Sequence, residues 1–144
     1  MMIKAYGEFI DKLHVFPIRV YYEDTDSGGI VYYANYLRFA ERARSEMLRL
    51  LGIESGKLMQ EEGLIVAVKK CSIDFLQSAR LDDLLLVKTR LIKISGASIR
   101  INQTVTKDEL DLVYMDLKLA SISLEGRPLR LPLRIRNQLE EFKT

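Results

Sequence analysis

Apolar residues between positions 31 and 51 recur at helical spacing. Tyr36, Ala40, Ala43, Met47 and Leu50 make a stripe that Leu37, Leu48 and Leu51 widen, while Arg38, Glu41, Arg42, Ser45 and Arg49 fall on the opposite face. This pattern predicts one long amphipathic helix over 31–51, ended by Gly52. Past Gly63 the period drops to two: Leu86, Lys88, Arg90, Ile92 and Ile94 alternate with Val87, Thr89, Leu91 and Lys93. Strands are predicted over 64–75, 84–95, 97–107 and 111–124. The breaks at Ser95-Gly96 and 107–110 are hairpin length, so these neighbours are antiparallel. A further strand is expected over 15–22, with Pro17 placing its start at an edge. The stretch 54–63 reads as a short helix or loop, 133–142 as a brief terminal helix, and 1–14 as an arm without a clean period. The pattern predicts an α+β fold, a single domain over 1–144 in which a five-stranded antiparallel sheet wraps a long central helix. Such a sheet leaves an edge strand that a second copy would cover.

Composition narrows the class. The 144 residues are 48% hydrophobic and 29% charged with a net charge of +2, which suits a globular protein and predicts no nucleic-acid partner. No run approaches transmembrane length, and the first residues lack the apolar core of a signal peptide. Cys71 is the only cysteine, so no intrachain disulfide forms and a cytoplasmic location is expected. Its strand position suggests a small buried hydrophobe. With one cysteine and one histidine, no metal site is expected. A Ser-His-Asp triad would have to draw on His14 in the arm.

Between the first strand and the helix lies Asp24-Thr25-Asp26-Ser27-Gly28-Gly29, a sequence that turns select. A calcium loop is ruled out because its fifth and twelfth positions fall on Gly28 and Asn35. Asp24 reads best as a turn or cap residue. Asp26 has two readings. It could cap the helix, or it could stand beside free N–H groups at the helix start as the carboxylate of an acyl-transfer site, attacking a carbonyl or deprotonating water.

The run Y-x-D-T-D-x-G-G-I-V-Y-Y-A-N-Y-L followed by E-R-A-R resembles the signature of the 4-hydroxybenzoyl-CoA thioesterase-like branch of the hotdog-fold acyl-CoA thioesterases. Within that branch it is most similar to the bacterial type associated with the Tol–Pal system. Asp74-Phe75, Leu81-Asp82-Asp83, Ser98-Ile99 and Arg127-Pro128 fall in similar order, extending the resemblance over 18–136. The resemblance implies a hotdog fold, a homodimer or homotetramer, and hydrolysis of short-chain or aromatic acyl-CoA thioesters. It implies Asp26 as nucleophile or general base and the Tyr33 amide as oxyanion donor, with Gly29, Val31 and Tyr32 around the substrate. No cofactor is expected, since coenzyme A is part of the substrate.

Many members of the Tol–Pal type carry histidine where this chain has Tyr33. A backbone donor survives that change, but a side-chain proton shuttle in the neutral range does not. Coenzyme A phosphates call for cations, for which Lys69, Lys70 and Arg100 are the candidates. The alternative function is a non-catalytic module that binds acyl thioesters or acyl carrier protein in envelope or lipid metabolism.

Overall fold

The computed structural model describes residues 3–144, so the first two residues of the expected arm lie outside the described residues. In chain order the elements are β1 (Glu8–Ile10), β2 (Leu13–Arg19), a 3₁₀ turn (Tyr22–Asp24), α1 (Asn35–Leu50), α2 (Ser55–Glu62), β3 (Leu64–Phe75), β4 (Leu84–Ser95), β5 (Ser98–Lys107), β6 (Leu110–Ser123) and α3 (Leu133–Glu140). The strands form one six-stranded sheet in the order β1-β2-β4-β5-β6-β3, every neighbouring pair antiparallel.

The sheet therefore has six strands where five were expected, and the additional one comes from the arm. Asp11 at φ +56° reverses the chain, and Glu8–Ile10 then pairs with β2. Beyond Val15 that edge of β2 is uncovered, so Pro17 costs no ladder hydrogen bond there. The helix is shorter than expected. Ile30 bridges to Arg80 and Val31 to Thr25, so these apolar residues belong to the loop, and α1 runs for 16 residues. Gly52, at φ +78°, follows its end as the left-handed stop the sequence suggested.

α1 lies on one face of the sheet, against β2, β4 and β5. Phe39, Ala40, Ala43 and Met47 are buried there, and each of the two large side chains contributes roughly 1.5–3 kcal/mol by leaving water. Ala40 and Ala43 let the helix approach closely. A polar tie crosses the same interface: the Gln103 amide donates to the Ala40 carbonyl (2.9 Å) and to Thr89 Oγ1 (3.0 Å). Gln103 Oε1 in turn accepts from Arg44 (3.0 Å). This side chain thus holds helix and sheet in one register.

Candidate active site

The loop before α1 is held by its own backbone. Asp24 is buried, and its carboxylate accepts the Tyr21 N–H (2.8 Å), closing the 3₁₀ turn. The Asp24 carbonyl accepts the Tyr32 N–H (2.9 Å) and the Asn35 side-chain amide (2.9 Å). The turn reading of Asp24 is therefore the correct one, and the residue also ties the loop to the first residue of α1. Asp26 differs. It is exposed, and Oδ1 accepts the Gly28 N–H (2.8 Å). Oδ2 has no partner among the described residues. Gly29, at φ +79°, donates to the Asp26 carbonyl (3.0 Å) and closes the turn in a conformation other residues rarely adopt.

Among the described residues no side chain caps the start of α1. The Tyr33 and Ala34 N–H groups meet no acceptor among the described residues, while Asn35 N–H bonds back to Tyr32. Free amides at the positive end of a 16-residue helix make an anion-stabilising position. Asp26, Val31, Tyr32 and Tyr33 line one cleft of about 330 Å³ with Ile30, Tyr36 and the segment 75–78. A carboxylate with an unpartnered oxygen and unpaired backbone donors thus share one wall-bounded space, the pair of groups that acyl transfer to water requires.

Aromatic rings shape the cleft. Phe75 at the end of β3 meets Tyr33 edge-on (6.0 Å between centroids) and lies 6.0 Å from Tyr36. Tyr36 is buried, and its hydroxyl accepts the N–H of Ala79 (2.9 Å), which ties the residue after the 75–78 wall to the start of the helix. Burial raises the Tyr36 hydroxyl pKa above its ordinary value. Sequence periodicity put Tyr36 in the helix stripe and missed that it also faces the cleft. Its i+3 spacing from Tyr33 was the signal available.

The cationic candidates lie elsewhere. Lys70 and Arg100 flank a separate groove with Lys118 on the outer sheet face, and Lys69 sits at a β-bulge beside another. Cys71 is exposed rather than buried, on the edge strand β3. His14 is fully buried in β2 rather than in a loose arm, and it is not among the residues that line the cleft.

A helix on one face of an antiparallel sheet, with a carboxylate loop at the helix start, is the arrangement of the hotdog-type thioesterase fold. The chain belongs to the thioesterase superfamily, whose family model matches residues 28–114. It is 40% identical over 135 residues to the acyl-CoA thioesterase YbgC of Haemophilus influenzae, covering 93% of this chain and 99% of that one. It is 43% identical over 129 residues to the acyl-CoA thioester hydrolase YbgC of Escherichia coli O6:H1, covering 88% and 93%. A probable thioesterase from Bartonella henselae superposes with a TM-score of 0.79 at 40% identity, over 83% of this chain and 99% of that structure.

Proposed function

We propose that this protein is an acyl-CoA thioesterase that hydrolyses its substrate in the cleft between Asp26 and the start of α1. The observation that carries the reading is the meeting of the free Asp26 oxygen with the unpaired Tyr33 amide in one cleft. Thioester hydrolysis is also the activity named for the Haemophilus influenzae and Escherichia coli relatives.

Asp26 either adds to the thioester carbonyl or takes a proton from water, whose oxygen then adds. The negative charge that develops on the carbonyl oxygen is met by the Tyr33 N–H. As the carbon–sulfur bond breaks, the coenzyme A thiolate leaves and is protonated, and the acid is released. If Asp26 itself added, water then cleaves the acyl-enzyme anhydride. Val31 and Gly29 shape the turn, and Tyr32 forms the rim. The aromatic wall of Tyr33, Tyr36 and Phe75 favours a short or aromatic acyl group over a long chain. Coenzyme A is part of the substrate, and no separate cofactor is assigned.

The enzyme works as a homodimer or homotetramer, a reading supported by the open β3 edge with exposed Val68 and Cys71. Among the described residues no helix is long and apolar enough to cross a membrane. The cytoplasmic assignment is supported by the single cysteine, and a Tol–Pal connection by the motif resemblance alone. The test is release of free coenzyme A from a panel of short, long and aromatic acyl-CoAs. Turnover of short or aromatic members is expected; no turnover across the panel overturns the assignment.

A further inference from the structure

Leu81-Asp82-Asp83, set apart in the sequence between β3 and β4, closes a turn next to the carboxylate loop. The Asp83 N–H donates to the Arg80 carbonyl (3.1 Å), and Asp82 takes the left-handed conformation at φ +71°. Val20, just past β2, grips this turn from one side. Its N–H donates to the Asp83 carbonyl (2.9 Å), and its own carbonyl accepts the Asp82 N–H (3.0 Å). The Asp83 carboxylate uses both oxygens. Oδ2 accepts the Arg80 N–H (2.8 Å), and Oδ1 meets Lys107 Nζ on β5 (2.9 Å).

The residues that enter this turn reach the site. Ile30 bridges to Arg80, and the Val31 N–H donates to the Ala79 carbonyl (2.9 Å). On its other side the same short stretch pairs with the carboxylate segment: Val31 bridges to Thr25, and the Ile30 carbonyl accepts the Asp26 N–H (2.9 Å). Segments 25–26, 30–31 and 79–80 thus form a small ladder with Asp26 on its outer strand. The Ala79 N–H meanwhile donates to the Tyr36 hydroxyl (2.9 Å), so the base of the ladder bonds both the carboxylate loop and α1. Asp26 itself is exposed, and among the described residues its side chain bonds only within its own turn, to the Gly28 N–H.

We propose that Asp83 is a positioning residue for thioester hydrolysis: by fixing the Arg80 N–H, its carboxylate oxygen holds the base of this ladder and, through Ile30, the Asp26 carboxylate near the start of α1. The proposal rests on the catalytic reading of Asp26 above. Asp83 is not among the residues that line the cleft. It acts through Arg80 and Ile30 and touches no reacting atom. The ladder uses the acceptor oxygen, whereas the charge and its Lys107 pair serve stability.

Asp83→Ala, Asp83→Asn and Lys107→Ala all lose the ion pair, but only alanine at 83 leaves the Arg80 N–H without its acceptor. Asp83→Ala is expected to lower kcat at least about tenfold while KM for an acyl-CoA stays within about threefold of wild type. Asp83→Asn and Lys107→Ala keep kcat within about threefold, as does Asp82→Asn, which removes the neighbouring carboxylate. Amide hydrogen exchange supplies a readout that does not depend on turnover. Peptides spanning 25–31 exchange at least about tenfold faster in Asp83→Ala than in wild type, Asp83→Asn or Lys107→Ala. An unchanged kcat in Asp83→Ala, an equal loss in Asp83→Asn or Lys107→Ala, or unchanged exchange over 25–31 overturns the proposal. If Asp83→Ala does not fold, the other two variants decide: kcat near wild type in both supports the acceptor role, and a tenfold fall in either overturns it. Failure of wild type to hydrolyse any thioester would count against the thioesterase reading, and exchange over 25–31 would still decide the ladder.

Discussion

The Asp24 carbonyl oxygen accepts the Tyr32 backbone N–H at 2.9 Å, binding the carboxylate loop to the residue that precedes Tyr33. The Asn35 side chain reaches the same oxygen (2.9 Å). One carbonyl thus joins the carboxylate loop to the start of α1 through two hydrogen bonds. Asn35→Ala is expected to cost about 1 kcal/mol of stability and to lower kcat several-fold through a looser loop. Urea unfolding and steady-state turnover check the two effects separately.

Tyr33 lines the cleft and is 62% exposed. Its hydroxyl makes no hydrogen bond among the described residues. Tyr33→Phe is therefore expected to keep kcat within about threefold of wild type. A loss on the order of a hundredfold, the lower range for a general acid or base, would show that the hydroxyl takes part in the reaction.

His14 introduces a pH dependence remote from catalysis. Both ring nitrogens are buried without partners among the described residues, Phe9 packs against the ring, and a Cβ on Gly7 would come within 2.8 Å of it. Burial lowers the pKa from 6.5 to about 4, so the folded state resists protonation and the unfolded state does not. This stability is complete above pH 6.5 and is lost as pH falls toward 4, reaching about 2 kcal/mol by pH 5. His14→Leu should flatten this part of a stability profile taken from pH 7 to pH 4.5, while the remaining slope from carboxylates persists.

Gln103 joins Ala40, Thr89 and Arg44 in the interior. Gln103→Leu keeps the volume but strips Arg44 and Thr89 of a partner, and a loss of roughly 2–4 kcal/mol is expected in urea unfolding. Turnover at temperatures where the variant remains folded should change far less.

How much of this was legible in the sequence varied with the range of the interactions. The long strands showed themselves through period-two alternation, and β3 and β4 have the expected bounds. The start of α1 was read too early because Ile30 and Val31 continue the apolar pattern, although bridges to Arg80 and Thr25 claim them. β1 has three residues and no period to read. Cys71 and His14 were misplaced for a common reason. Burial on a strand depends on which strand lies at the sheet edge and what folds over it, and spacing along the chain carries neither. Asp26 and Tyr33 were singled out through motif resemblance, whereas the cleft wall contributed by 75–78 needed the tertiary contacts of Tyr36 with Phe75 and Ala79.

The central claim is that the Asp26 carboxylate performs thioester hydrolysis. Its most direct measurement is release of free coenzyme A by wild type and by Asp26→Asn, with circular dichroism and oligomeric state recorded for both. Asparagine keeps the shape and can still accept the Gly28 N–H, but it can neither take a proton from water nor add as a nucleophile. The account predicts turnover in wild type and its loss, by about a thousandfold or more, in a variant whose fold and assembly are unchanged. Comparable turnover in Asp26→Asn would contradict it.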